Sequence, residues 1–203
     1  MAEKIIIDIW KKKDAEEFTK ALADTESRVE AVSAAAYTAA CASALIKRAA
    51  ELAKRARGEN ERLEYISRNA EILRAYMVHL IDEDVKSRAP LRKAVQEGIE
   101  VNIEAGRESA ACIPSEIIGM MQKLMELARE LCDHCDGDML SYIGEGACLA
   151  KAAAESCRVY VLDLAGKSND ETYRFVAKRE NEMIFESITE AFNEVMGITE
   201  PLI

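Results

Sequence analysis

The sequence predicts an all-α fold, an elongated up-and-down bundle of long antiparallel helices built as one domain over residues 1–203. Three observations carry this. The chain has only 3 prolines and 9 glycines, so long elements run unbroken. Aromatics make up 5% of residues, while alanine, leucine, isoleucine and glutamate dominate, all of them at home in helices. The long stretches between are bounded by capping residues and glycine stops. The length suffices for one domain with a sizeable core and does not demand two.

The elements follow in order. After a short extended or irregular start, IIIDIW from Ile5 to Trp10, Asp14 and Glu17 form a capping box that opens a short helix through about Ala23. Ser27 with Glu30 offers a second box, and the Ala/Ser-rich run continues from there to Arg57, where Gly58 stops it. Small residues on every face of this run let neighbouring backbones approach closely. Such a helix belongs at the centre of a bundle or in a dimer interface. A third helix spans about Glu61 to Lys86. Pro90 sits where a helix can begin, because its missing N–H costs nothing there. Another helix is expected to begin at Pro114 and end near Cys135. A loop from Asp136 to about Leu140 leads into a helix ending near Ala165. GKSND is a turn with Asn169 as the cap, and the last helix ends at Gly197. Helices of about 25 residues are about 38 Å long, and short links between them imply antiparallel neighbours.

Composition excludes several functions. A formal charge of -10 repels nucleic-acid phosphates, and no basic stripe with interleaved aromatics offsets it. The start MAEKIIIDIW lacks the apolar core and cleavage site of a signal peptide. The longest uncharged run, Ala31 to Ile46, falls short of a membrane span. The expectation is a soluble cytoplasmic protein that binds neither membrane nor nucleic acid. Six cysteines scattered through helical sequence read as small buried thiols rather than a disulfide framework. No phosphate-binding glycine loop, dinucleotide motif or nucleophilic triad is present.

Three constellations have the residue types for chemistry. Cys132-Asp133-His134-Cys135 supplies at most part of a zinc site, and it lies at a helix C-terminus, where the dipole opposes a thiolate. The plainer reading is that Cys132 and Cys135 share one helical face and fill a core. Asp82-Glu83-Asp84 reads either as a solvated face or as a source of one carboxylate in a cleft, with His79 one turn earlier able to reach Glu83. Lys54, Arg55 and Arg57 form a basic patch at a helix end. It pairs with the helix dipole or receives a ligand carboxylate.

The order of segments resembles the cyclodeaminase/cyclohydrolase family, the formiminotetrahydrofolate cyclodeaminases and related methenyltetrahydrofolate cyclohydrolases. The resemblance runs from about Asp14 to Asn193. The small-residue helix with a basic end is AAAYTAACASALIKRAAELAKRARG. The family's acidic D-x-x-A-F motif corresponds to Asp84-Val85-Lys86-Ser87-Arg88, and its Ile-Pro helix start to Ile113-Pro114. Its G-N-x-N-L-x-S-D loop and L-A-x-A-A helix correspond to GDMLSY and CLAKAAAESCRVYVLDL, followed by NDETY. There are departures. The P-G-G-G-S turn is Val29-Glu30-Ala31-Val32-Ser33, which simply continues a helix. The loop carries Asp138 for an Asn and Tyr142 for an Asp. Arg88 stands in place of the Phe.

The resemblance implies folate one-carbon chemistry at the N5/N10 bridge of tetrahydrofolate, in a homodimer. It makes Asp84 the base or electrostatic stabiliser, with Asp82 the neighbouring candidate. Lys54, Arg55 and Arg57 would meet the anionic glutamate tail. Ser33, Asp138 and Ser141, with Tyr142 in the same loop, would line the pterin side. No metal, nicotinamide or flavin is implied; the ligand is the folate itself. The departures keep open a catalytically silent or re-purposed member, acting as a small-ligand binder or a helical partner subunit.

Overall fold

The computed structural model describes residues 9–58 and 60–200. Ile5 to Asp8 of the expected irregular start therefore lie outside the described residues. Among the described residues there are seven α-helices and no strand: α1 Ala15–Ala23, α2 Ala31–Arg57, α3 Glu61–Ser87, α4 Ala89–Glu97, α5 Glu100–Cys132, α6 Asp138–Gly166 and α7 Glu171–Thr199, preceded by a 3₁₀ turn at Trp10–Lys12. None of these helices is long and apolar enough to cross a membrane.

Helix α2 is the central element and packs against α3, α5 and α6. Ala36, Ala39, Ala42, Ala49, Ala50 and Ala53 are fully buried, so the small-residue face is used inside the chain. The direction of each neighbour follows from the side chains it meets. Ser33, Lys47 and Lys54 of α2 meet Asp84, Glu71 and Glu64 of α3 in reverse order, so the two helices are antiparallel. Gly58, at φ +88°, supplies a backbone conformation that an L side chain rarely adopts and turns the chain between them. Helix α6 is also antiparallel to α2: Gly146 lies against Ala42 and Ile46, and the earlier Tyr142 lies under the later Arg48. One pair departs from the up-and-down expectation. Gln122 meets Ser187 and Arg129 meets Glu194, so α5 and α7 run parallel.

Three boundaries differ from the sequence reading. Pro114 does not open a helix but lies inside α5, which begins at Glu100. An interior proline removes one backbone hydrogen bond and costs about 3 kcal/mol, so packing must outweigh propensity here. Ala110 and Ala111 before it and Ile117 and Ile118 after it are all buried. The cap of α7 is Asp170, which accepts from the backbone N–H groups of Thr172 and Tyr173. Asn169 instead donates from its side chain to Glu100 and from its backbone to Glu104. The third difference, at the start of α2, belongs to the candidate site.

Gly106 and Gly119 test the packing of α5. A Cβ on Gly106 would lie 2.8 Å from the Leu91 Cα of α4, which is backbone and cannot rotate away, whereas one on Gly119 meets nothing within 4 Å. Gly106→Ala should lower stability by about 1 kcal/mol, because overpacking outweighs the gain in helix propensity. Gly119→Ala should raise it by up to about 1 kcal/mol. Urea denaturation of both variants measures this, and equal shifts would contradict the close approach of α4 to α5.

Candidate functional site

The site begins at the first turn of α2. Glu30 is its N-cap residue, with extended backbone at φ -137° and ψ -173°, so the helix starts at Ala31. The sequence reading had Glu30-Ala31-Val32 continuing a helix opened at Ser27; that is corrected. Ser27 Oγ instead accepts from the Val29 N–H, and the Glu30 side chain is drawn to arginines. The backbone N–H groups of Ala31, Val32 and Ser33 therefore have no intrahelical acceptor. The helical start survives at this point without the glycines.

One residue face inward from that start organises a buried polar cluster. Ser33 Oγ lies 2.6 Å from Asp84 Oδ2 and 3.3 Å from the Ile81 carbonyl oxygen. Asp84 sits near the end of α3 and is wholly buried. Arg88, one turn on and 2% exposed, grips it with both arms of a fork: Nε donates to Oδ1 at 3.0 Å and Nη2 to Oδ2 at 2.7 Å. Nη2 also donates to the Arg28 carbonyl at 3.2 Å. Nη1 forms an ion pair with Glu30, whose other oxygen lies 3.4 Å from Arg92 Nη1. Arg92 Nη2 donates to the Val85 carbonyl at 2.9 Å. Burial pushes the Asp84 carboxyl above its ordinary value, with Arg88 and Ser33 pulling it back. Two groups of α6 sit beside the cluster. Burial pushes the Tyr160 phenol up to about 12 and raises the Cys157 thiol, which lies within reach of the Asp84 charge.

Asp82 faces elsewhere. Two residues along a helix turn the side chain by about 200°, and Asp82 accepts from the Lys11 backbone N–H at 3.3 Å while Lys11 Nζ lies 3.7 Å away. It is buried and ties the 3₁₀ turn to α3. The run of three carboxylates is thus not a solvated face. Only Glu83 behaves so, pairing with Lys86 at 2.7 Å and lying 3.8 Å from His79.

The remaining sequence candidates gather at the opposite end of α2. Lys54 pairs with Glu51 at 3.3 Å and Glu64 at 2.5 Å, Arg57 pairs with Asp136 at 2.8 Å, and Arg55 is exposed. Asp138 and Ser141 are exposed in the first turn of α6, where the Arg48 guanidinium stacks over Tyr142 at 4.9 Å. Ser33 and Lys54 are about six helical turns apart, about 30 Å. Within one chain the expected grouping of Ser33 and Asp84 with the basic patch and the Asp138–Tyr142 loop is therefore not formed, because α2 holds them at its two ends. Cys132 and Cys135 lie in the hydrophobic core, and burial pushes both thiols up to about 11.

A cavity of about 650 Å³ opens beside the first turns of α2, lined among others by Leu22, Ser27, Glu30, Ala31, Thr38 and Ser156. Asp84 does not line it; Glu30 does, and its carboxylate joins the groove to the buried cluster. Sequence reasoning read Glu30 only as a capping partner and part of the altered turn, read Arg88 only as a departure, and gave Arg92 no role. The four-residue spacing of Asp84, Arg88 and Arg92 was the available signal. Pro90 between them concealed it by suggesting a break.

Comparison with known proteins places this geometry. A family model described as formiminotransferase-cyclodeaminase matches residues 14–183. The crystal structure of a formiminotetrahydrofolate cyclodeaminase from Thermotoga maritima superposes with a TM-score of 0.88 at 21% identity, covering 94% of this chain and 98% of that one; at this identity the likeness is one of fold. No curated protein matches the sequence significantly.

Two tests follow from the geometry. Asp84→Asn should destabilise by about 3 kcal/mol, since it weakens the hold on a buried guanidinium, while adding Arg88→Met should recover most of that loss. Urea denaturation of the two single variants and the double variant measures the coupling, and additive losses would contradict the buried pair. Thiol labelling of the native protein should reach the exposed Cys112 and Cys148 first, with Cys132, Cys135 and Cys157 reacting only on unfolding. Rapid native labelling of Cys132 or Cys135 would contradict their core placement.

Proposed function

The chain belongs to the formiminotransferase-cyclodeaminase family, and from that premise we propose that it acts in folate one-carbon metabolism as a cyclodeaminase-like enzyme working on the N5/N10 one-carbon bridge of tetrahydrofolate. The observation that carries the reading is the meeting of Ser33 and Asp84 where α2 begins, since these are the two positions that the family's turn and acidic motif share with this chain. In either family reaction the folate passes through a cationic, amidinium-like state at the bridging carbon. Addition of water to a methenyl carbon opens the ring to the 10-formyl form and needs a proton acceptor beside the water. Closure of a 5-formimino group expels ammonia and needs a group that takes and returns a proton. A carboxylate serves both and also stabilises the cation. Asp84 is the proposed group. Ser33 orients it, and Arg88 must turn away before it can meet a substrate. Asp82, tied to Lys11, has no part in the proposed chemistry.

The proposal extends to a homodimer acting in the cytoplasm. The six thiols, all free, suit a reducing compartment. Tyr65 and Ile72 leave apolar surface on α3 outside the core for a second copy.

A specific observation favours a second reading. Both oxygens of Asp84 are occupied by Arg88 and the residue has no exposed surface. A carboxylate so placed accepts no proton from a ligand. On this reading the chain is a catalytically silent family member that binds the folate without converting it.

One experiment separates the two. Loss of methenyltetrahydrofolate absorbance and release of ammonia from 5-formiminotetrahydrofolate are followed for wild type, Asp84→Asn and Arg88→Met, with binding measured in parallel. The enzyme reading expects wild-type turnover that falls about a hundredfold to ten-thousandfold in Asp84→Asn under conditions where the variant is folded. Binding without turnover in wild type supports the silent reading, and turnover gained in Arg88→Met would identify the arginine as what silences it. Absence of folate binding in all three would overturn both readings.

A further inference from the structure

The pairing of Glu30 with two arginines has no part in either reaction, yet it stands at the mouth of the groove. Arg92 makes its other contact with a backbone carbonyl, so one arm of its fork serves Glu30 alone. Arg88 Nη1 is buried and forms an ion pair with Glu30 but no aligned hydrogen bond. The Glu30 side chain itself is 47% exposed, against 3% for Arg88. The accessible partner of the cluster is thus the carboxylate at the rim, while the guanidinium beneath it is buried.

Charge balance depends on Glu30. Arg28, Arg88 and Arg92 stand with Asp84 and Glu30, and Asp24 lines the same groove, so the site is balanced with the Glu30 charge in place and turns positive when that charge leaves. The unpaired backbone N–H groups of Ala31, Val32 and Ser33 lie beside it and add donors of the same sign. Glu30 makes no side-chain cap to them. The basic residues at the other end of α2 are about six turns away, and Lys54 and Arg57 already have carboxylate partners.

We infer that Arg88 and Arg92 form a carboxylate-binding subsite at the mouth of the α2 groove, closed in the free protein by the Glu30 side chain, and that a ligand carboxylate takes the place of Glu30. Exchange of one carboxylate for another conserves the charge pairing. Because the Arg88 end of the pair is buried, it cannot be left without a carboxylate, and the incoming group must take the place of Glu30 as Glu30 leaves. The carboxylate belongs to a ligand whose apolar body lies along Ala31, Ala34 and Ala35 in the groove. An aryl amide of glutamate has this character, and it is the tail of the folate; that identification rests on the proposed function, whereas the subsite does not.

The test uses p-aminobenzoylglutamate, which carries the aryl group and both carboxylates without a pterin. Its binding is measured by titration calorimetry to wild type, Glu30→Gln and Arg92→Met. Glu30 lines the groove and Arg92 lies behind it, and both side chains are partly exposed, so both variants should fold, which thermal melts check. Glu30→Gln removes the competing charge and should bind about tenfold more tightly; Arg92→Met should bind about tenfold more weakly. Equal affinity in all three proteins, or no binding to wild type and Glu30→Gln, overturns the subsite. Fragment binding with the expected dependence but no binding of methenyl- or formimino-tetrahydrofolate keeps the subsite and removes the folate reading. Folate binding indifferent to both substitutions does the reverse.

Discussion

A carboxylate removed entirely from water must be matched by charge and hydrogen bonds, and the burial of Asp84 imposes that requirement on every element around it. Ser33 meets it from α2, which places the start of that helix against the end of α3. Arg88 meets it from one turn along its own chain, at the junction of α3 and α4. A guanidinium brought into the same dry space needs further acceptors, and the Arg28 carbonyl and the Glu30 carboxylate provide them. Glu30 drawn toward arginines cannot reach back to cap its own helix, so α2 begins with bare amides. The geometry of the groove mouth is in this sense a consequence of one buried charge.

The alanine-rich packing of α2 explains why the cluster lies where it does. Helices approach closely only along small residues, and α2 presents them to α3 and α6 over its whole length. Close packing fills the middle of α2 with buried alanines. Space exists at the end, where the segment between α1 and α2 departs from the helices and leaves the groove lined by Leu22 and Ser27. A rigid central rod also fixes the separation of its two ends, which is why Arg57 with Asp136 at one end cannot share a small ligand with Ser33 in the same chain.

What the sequence made legible was what local chemistry decides. Asp14 accepts from the Glu17 N–H as its capping box requires, and Gly58 ends α2. The readings that failed are those in which a distant contact outweighs a local preference. Pro114 has the character of a helix start, yet burial on both sides carries α5 through it. Asn169 and Asp170 are both competent caps, and the choice falls to Glu100 and Glu104, some 65 residues earlier, which claim the asparagine. Ser27 and Glu30 spell a box, but Arg88 and Arg92 lie about 60 residues away and take the glutamate. In the candidate site, Ser33 and Asp84 were legible through the resemblance. Their partnership with Glu30 and Arg92 was not, because no spacing along the chain encodes a contact made by two helices folding back.

Arg88 decides what the buried aspartate can do. Beside an apolar side chain, a buried carboxylate is poorly solvated and tends to hold a proton, the condition of a general base working near neutral pH. Beside a fork-forming guanidinium it is satisfied as the anion, and its affinity for a proton is opposed by the charge it already neutralises. Burial and the arginine act on Asp84 in opposite senses, and the balance depends on how firmly Arg88 is engaged. Glu30 shares that arginine. Nη1 faces the rim carboxylate while Nε and Nη2 hold Asp84, so the charge at the rim sets how much of the guanidinium's positive charge is left to Asp84. The occupant of the groove mouth and the state of the buried aspartate are therefore linked through one side chain, because both draw on the single charge of Arg88.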